Sequence, residues 1–592
     1  MARVLPIVQP AHLDRTFDYL VPADLDEQAR PGVRVRVRFS GRLIDGFLLE
    51  RTQTSDHDGK LGFLDKVVSP LPVLTDELAA LCAAVAERYA GTRGDVLRLA
   101  IPPRHARAEA AALDALDARA AQEAGPEAEA EQKPEAEPVT GWSSYVHGTN
   151  YLDAARDGRA PRAVWQALPG EDWALRLAEV AHATLTGGRS AVIIVPDRRD
   201  LDRVVTGLKA LGAAASVVAL AAGLGPQARY RRWVTALAGP PCIVVGNRSA
   251  VFTPVSRLGS VMIWDDGDDN LAEPRSPYPH AREAALLRAN AAGSGFLLGG
   301  HARTAEAQSL VDHDWAQDLL AARTEVRRSS PLIRALADSE QALARDPAAQ
   351  RARIPAIGFQ AARESLAADL PVLVQVPRAG YLPVVGCANC REPARCRRCA
   401  GPLGLPHGEG TGPDGSMDAA PPTCRWCGSA ALSHRCAQCG SRALRARVTG
   451  AERTAEEFGR AFRGVPVIGS SGSDVRGEVE ARASVVVATV GAEPSAPGGY
   501  GAALLLDGWS LLTRADLRAG EETLRRWMSA AALVRAAADG GHVIVVADAG
   551  SAVVQALIRW DPVGAARTEL SQRREVRFPP SVRIAAVDAA PA

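Results

Sequence analysis

Eight cysteines packed between residues 387 and 439 constrain this chain more than any other feature. They read Cys387-x2-Cys390-x5-Cys396-x2-Cys399-x24-Cys424-x2-Cys427-x8-Cys436-x2-Cys439, which makes four CxxC pairs. A CxxC turn lets two thiolates meet one ion at about 2.3 Å, and two such turns close a tetrahedral site. Gly428 and Gly440 follow their pairs directly and supply the backbone freedom that a knuckle turn needs. A redox dithiol explains one pair but not four in a short segment. The strict pairing also differs from iron–sulfur spacings. The spacing therefore predicts two closed four-cysteine sites holding two Zn2+ in a structural role, and it leaves three ways of dividing four pairs between two sites. Cys82 and Cys242 lie in apolar contexts and read as core residues.

Charge around the cysteines points to a ligand. The whole chain carries 69 Lys and Arg against 68 Asp and Glu, so a nucleic-acid footprint has to be local. Residues 387–447 supply one, with nine arginines (391, 395, 397, 398, 425, 435, 442, 445 and 447) against four acids, and with Trp426 among them. Arg397, Arg398 and Arg425 are the candidate backbone contacts, on a rigid and stackable surface suited to DNA.

The remainder reads as α/β. Apolar runs at 191–195, 242–245, 261–264, 296–298, 372–374, 485–488, 503–506 and 543–546 alternate with helix-length segments, as in parallel sheets covered on both faces. They group into two lobes, 141–325 and 365–386 with 441–575, the second interrupted by the cysteine insert at 387–440. Residues 1–108 read as a mostly-β domain: Val33, Val35 and Val37 alternate with Arg34, Arg36 and Arg38, and a helix fits about 75–90. Residues 109–140 form an Ala/Glu/Pro stretch with six Glu between Gln122 and Pro138, expected to be an unstructured linker, although an isolated helix fits over 105–121. Residues 401–422 are rich in Gly and Pro and suggest a flexible excursion. No run approaches the roughly 18–20 apolar residues of a membrane span, and residues 1–20 carry no signal-peptide core. The expectation is a soluble, cytoplasmic protein.

Gly380-Tyr381-Leu382-Pro383 and the cysteines that follow resemble the PriA (primosomal protein N′) family of replication-restart helicases. Arg15-Thr16-Phe17-Asp18-Tyr19-Leu20-Val21-Pro22 is similar to its domain for binding a DNA 3′ end. Val245-Gly246-Asn247-Arg248-Ser249-Ala250-Val251-Phe252 is similar to one of its helicase segments, and Arg577-Phe578-Pro579-Pro580 to the stretch before its C-terminal domain. The resemblance implies two RecA-like helicase lobes, with residues 576–592 opening a truncated C-terminal region. It implies one zinc site of Cys387, Cys390, Cys436 and Cys439, and another of Cys396, Cys399, Cys424 and Cys427. It implies that Phe17 stacks on a terminal base while Asp18 contacts the terminal nucleotide. As partners it implies forked DNA and single-strand/double-strand junctions, other primosome proteins, the replicative helicase and single-stranded-DNA-binding protein, with no membrane.

The departures bear on the motor. Only four lysines occur (Lys60, Lys66, Lys133 and Lys209) and none stands in Gly-Lys-Ser/Thr, so there is no Walker A motif. Where the family has its phosphate loop, the chain reads Leu168-Pro169-Gly170-Glu171-Asp172-Trp173-Ala174. Its Asp-Glu-Glu-His box reads Asp265-Asp266-Gly267-Asp268, in which Asp265 could still hold Mg2+. Its Gly-Ser-Ala-Thr motif reads Gly299-Gly300-His301-Ala302, and its arginine-bearing motif reads Ser529–Ala536. Phosphoryl transfer depends on positioned charges from these parts. The expectation is therefore a catalytically inactive helicase homologue, with ATP binding in doubt, that recognises abandoned forks and promotes reloading of the replicative helicase. The linker stands where the family has a winged-helix domain, which is expected to be reduced or missing. Two alternatives predict different behaviour: an active fork-dependent ATPase and 3′-5′ helicase with an unconventional nucleotide site, or a zinc-containing interaction scaffold without fork preference.

Overall fold

A computed structural model describes residues 1–8, 11–55, 57–123, 141–336, 353–377, 385–388, 393–404, 421–446, 451–514 and 516–586. The chain divides into two compact units. One comprises Met1–Trp165, Asp172–Gly300 and His313–Leu320; the other comprises Gln166–Glu171, His301–Asp312 and Ala321–Ala592.

The first unit opens with an antiparallel sheet of β1 (Ala2–Pro6), β2 (Phe17–Tyr19), β3 (Val33–Phe39), β4 (Arg42–Arg51) and β5 (Leu64–Pro72), ordered β2-β1-β4-β3-β5. Val33, Val35 and Val37 are fully buried while the intervening arginines face outward, because successive strand residues face opposite sides. Ser40 and Gly41 join β3 to β4 with φ of 47° and 81°. Two left-handed residues in sequence twist a two-residue hairpin in the sense that its strands require. The helix Asp76–Arg88 begins where the Thr75 side chain accepts from the Leu78 amide, and it buries Leu78, Leu81, Cys82 and Val85 on one face. Burial pushes the Cys82 thiol up to about 12 and the Cys242 thiol up to about 11, in keeping with inert core cysteines.

The structure departs from the sequence expectation after Arg107. Ala106–Glu123 is a helix, so the anticipated boundary at 108/109 falls inside an element, and residues 109–123 are not a loose tether. The helix packs on Pro226–Ala238 of the same unit, with Ala108, Ala112 and the carboxylate of Glu109 buried. An Ala-rich segment has high helix propensity, and one buried carboxylate with fitting donors supplied the tertiary contact that composition could not reveal. Residues 124–140 lie outside the described part.

Next comes a seven-stranded sheet: β6 (Arg162–Gln166), β7 (Ser190–Ile194), β8 (Val217–Leu220), β9 (Ile243–Gly246), β10 (Leu258–Trp264), β11 (Gly295–Gly300) and β12 (Gln317–Leu319), ordered β12-β6-β11-β10-β7-β9-β8. Val261 of β10 stands opposite Val192 of β7 on one side and Phe296 of β11 on the other, both in parallel register.

The second unit carries β13 (Leu332–Leu336), β14 (Val372–Val376), β15 (Val385–Cys387), β16 (Leu403–Gly404), β17 (Thr423–Cys424), β18 (Leu444–Ala446), β19 (Val467–Ser470), β20 (Val485–Thr489), β21 (Ala502–Leu505) and β22 (His542–Asp548). Its main sheet runs β13-β22-β21-β14-β20-β19, every neighbour parallel. Leu373, Val486, Ala503, Leu505 and Val543 enter one core, whereas Val372, Val374, Val485, Leu504 and Ile544 enter another. Apolar residues are thus required on both faces, which is why these strands read as continuous runs. The edge strand β13 precedes the expected lobe start at 365. Its exposed Arg334 breaks the apolar run by which the other strands announced themselves. No helix among the described residues is long and apolar enough to cross a membrane.

Candidate metal centres and nucleic-acid surfaces

The cysteine insert leaves the second unit after β14 and closes on itself through two short antiparallel pairs, β15 with β18 and β16 with β17. These pairs draw distant thiols together. Cys396, Cys399, Cys424 and Cys427 form one group, and Cys387, Cys436 and Cys439 form another, with the ligand atoms of each group within 4.8 Å of one another. Cys390 lies outside the described residues. The Sγ atoms of Cys399 and Cys424 are 3.4 Å apart, those of Cys396 and Cys427 are 3.8 Å apart, and those of Cys387 and Cys439 are 3.4 Å apart. Four thiolates at about 2.3 Å from one tetrahedral ion stand about 3.8 Å from each other, so the first group fits a closed four-thiolate centre. Among the described residues no comparable group of ligand atoms gathers around Asp265 to hold a Mg2+.

The tips of the knuckles carry the arginines. Arg397 and Arg398 are exposed between Cys396 and Cys399, and Arg425 with Trp426 spans Cys424 to Cys427. Burial, and then the charge of Arg397, hold the His434 imidazolium below its ordinary range, so His434 neighbours that tip. Arg391, Arg447 and the 405–420 part of the anticipated excursion lie outside the described residues.

Phe17 and Asp18 sit on the edge strand β2 and take separate partners. Phe17 packs edge-on against Phe39 at 4.8 Å, with the Arg15 guanidinium 5.0 Å above its ring. Asp18 stands opposite Arg3 across the β1–β2 ladder, accepting from Arg3 Nε at 3.1 Å and from Ser55 Oγ at 2.7 Å. Their side chains face opposite sides of the strand.

The segment expected in place of a phosphate loop leads into a capped helix. Asp172 caps the helix Trp173–Thr186, its own carboxylate accepting from the Leu175 amide that would otherwise be free for an anion. Trp173 stacks flat on Trp264, centroids 4.2 Å apart and planes 5° apart, and both indoles are buried. Arg203 lies 4.8 Å over Trp173 and 3.8 Å from Asp172. Asp266, which the sequence resemblance sets against the family's Asp-Glu-Glu-His box, is buried in an ion pair with Arg282 at 2.8 Å. Asp265 follows β10 in the left-handed region with φ 54°. Burial, together with the nearby charge of Asp197, pushes Asp200 up to about 8. In the second unit Arg535 donates Nε to the Gly498 carbonyl at 2.7 Å.

Two features escaped the sequence reading. Arg248, from the helicase-like segment, donates Nε to Glu273 at 2.8 Å and lines a cleft of about 440 Å3 with Arg98, Arg229, Trp233 and Arg275. No motif links residues 98, 229 and 248; only the tertiary fold gathers them. The second is Glu109. It accepts from Ser69 Oγ at 2.6 Å, Tyr230 OH at 2.5 Å and Arg104 Nη2 at 2.8 Å, tying the first sheet to the α/β lobe of the same unit.

Comparison with known proteins is specific. Residues 6–102 match the model of the PriA 3′ DNA-binding domain. The probable replication restart protein PriA of Mycobacterium bovis is 57% identical over 579 residues, covering 98% of this chain and 85% of that protein. Its counterpart from Mycobacterium leprae is 56% identical, covering 98% and 86%. The replication restart protein PriA of Bacillus subtilis is 25% identical over 291 residues, 48% of this chain and 34% of its own length. Among solved structures, RecG bound to a three-way DNA junction covers 83% of this chain and 52% of its own at 10% identity and a TM-score of 0.34.

Proposed function

This chain belongs to the PriA family of replication restart proteins, and from that premise we propose that it recognises abandoned replication forks and promotes reloading of the replicative helicase without an ATP-driven motor of its own. The observation that carries the motorless part is the Trp173–Trp264 stack behind the Asp172 cap. A triphosphate needs free amides, a lysine and a metal-binding hydroxyl at that helix start. Here a carboxylate takes an amide and an indole fills the adjoining space. Both lobes keep their sheets and act as a frame for the 3′-end domain and the insert.

Two Zn2+ ions fit the cysteine groups. Bound there, zinc would cross-link segments too short to fold alone, so its contribution is folding free energy rather than chemistry. The 3′-end domain supplies recognition of a free strand terminus, and the arginines of the insert neutralise phosphates of the departing strands. Nucleoid association and contacts with other primosome proteins, the replicative helicase and single-stranded-DNA-binding protein follow from this role.

The test is fluorescence-anisotropy binding of zinc-replete protein to a model fork with a free leading-strand 3′-hydroxyl at the branch, against the same fork ending in phosphate. ATP hydrolysis is followed in the same wells. Tighter binding to the free end with no hydrolysis supports the proposal. Equal binding refutes end recognition, and fork-stimulated hydrolysis refutes the loss of the motor.

A further inference from the structure

The metal group of Cys396, Cys399, Cys424 and Cys427 brings two knuckle tips to one centre, Arg397-Arg398 from one turn and Arg425-Trp426 from the other. Trp426 is 52% exposed, and every other described tryptophan is buried or half-buried. The indole is nevertheless held. A Cβ built on Gly401 would lie 2.8 Å from the ring's Cγ and Cδ2 and 2.9 Å from Cys424 Sγ, so the ring rests on glycine backbone beside a metal ligand. Arg425 is turned the other way, its guanidinium against Gly404 and its amide bonded to the Pro402 carbonyl at 2.9 Å. The backbone leading into the indole is pinned by the β16–β17 pair, in which Leu403 faces Cys424, and the turn after it by the Gly428 amide donating to the Cys424 carbonyl at 3.0 Å.

Charge on the described part of the insert has one sign. Residues 393–404 and 421–446 contain seven arginines (395, 397, 398, 425, 435, 442 and 445) and no Asp or Glu. A fixed, half-exposed aromatic plane on the same cysteine group as the exposed Arg397 and Arg398 matches a polyanion that carries flat apolar faces, which is single-stranded nucleic acid. Duplex DNA hides those faces in its stack, and an acidic peptide offers charge without a regular series of planes.

We infer that Trp426 is a base-stacking platform that captures single-stranded DNA at the group of Cys396, Cys399, Cys424 and Cys427. The inference rests on the fork-recognition reading and deepens it, assigning the insert the unpaired arm of the fork. Arg397 and Arg398 on the neighbouring turn hold phosphates, and the stack contributes affinity without sequence preference.

The test uses the full-length, zinc-loaded chain and its Trp426→Tyr and Trp426→Leu variants, each first shown to hold two zinc ions. Three probes are titrated by anisotropy: a thymidine oligonucleotide, an abasic phosphodiester of the same length, and a synthetic acidic peptide. A stacked base contributes roughly 5- to 150-fold in affinity. Trp426→Leu should therefore lose about tenfold or more on the thymidine strand, and Trp426→Tyr should lose little. The abasic strand should bind all three proteins alike, with one common salt slope. Photocrosslinking of a 5-iododeoxyuridine strand should map to the peptide bearing Trp426. Equal thymidine affinity for Trp426→Leu and the unsubstituted chain overturns the inference. Equal loss on the abasic strand, or loss confined to the acidic peptide, also overturns it. The free-end and blocked-end forks run in parallel separate this result from its premise: a chain that stacks thymidine but shows no end preference retains the platform and loses the fork reading.

Discussion

Removing the Glu109 carboxylate should loosen the helix Ala106–Glu123 from the lobe beneath it. Glu109 is 4% exposed, and its three partners are Ser69 on β5, Arg104 just before the helix, and Tyr230 on the lobe helix Pro226–Ala238. Ser69 and Tyr230 are themselves 2% and 1% exposed, so neither hydroxyl finds water when the carboxylate is gone. Each orphaned buried hydroxyl costs about 1–2 kcal/mol. Arg104 is partly exposed and rehydrates, so its lost pair adds at most about 1 kcal/mol. Glu109→Ala is thus expected to cost about 3–4 kcal/mol, and Tyr230→Phe about 1–2 kcal/mol because the carboxylate keeps two donors. The two changes share one network, so the double variant should fall short of their sum by about 1 kcal/mol or more. A chain of several domains does not unfold in one step, and the assay is therefore hydrogen exchange of the amides at 106–118 together with proteolysis of that segment. The acid dependence follows from the shift at Glu109. Burial alone would raise its pKa, but hydrogen bonds from Arg104, Ser69 and Tyr230 outweigh it and hold the carboxyl below its ordinary value. A lowered folded pKa gives stability that is full above the unfolded value and is lost as pH falls through the folded one. Protection should therefore fade on acidification below about pH 4.5 in the unsubstituted chain but not in Glu109→Ala. Unchanged exchange at 106–118 in Glu109→Ala at neutral pH would refute the reasoning.

Three further outcomes are expected. Cys427→Ser should reduce metal content from two zinc ions per chain to one, by elemental analysis, and expose the insert to protease; retention of two ions would show that this thiol is not a ligand. Asp200→Asn should stabilise the first lobe at pH 8, since burial and the charge of Asp197 push the folded carboxyl up to about 8 while the unfolded one keeps its ordinary value. Its stability cost grows as pH rises from about 4 to 8, so thermal melts at pH 4 should show no gain, and a gain independent of pH would disprove the assignment. Millimolar ATP with Mg2+ should leave the melting temperature unchanged, because a ligand that binds only the folded state raises it by mass action; a clear rise would reveal a nucleotide site despite the Trp173–Trp264 stack.

Some of this was legible in the residues alone. The four CxxC pairs pointed to an insert able to bind metal, because short turns with two thiolates have few other uses, and the double-sided apolar runs pointed to parallel sheets, because such strands must be covered on both faces. The absence of Gly-Lys-Ser/Thr could likewise be read directly, since that loop works through contiguous residues. Three things needed the tertiary structure. Spacing left three ways to pair the cysteines, and the family resemblance favoured one; it is the β16–β17 and β15–β18 ladders that bring thiols 25 to 52 residues apart within bonding reach of one ion. Nothing near Trp173 in sequence announces Trp264, 91 positions later, as the ring stacked on it. The acidic stretch after Arg107 reads as a tether because composition reports average burial. One carboxylate, placed by the fold against a serine, an arginine and a tyrosine, joins buried Ala108 and Ala112 in docking its first part as a helix. Local patterns reveal what neighbouring residues do together; contacts between distant segments exist only once the chain has folded.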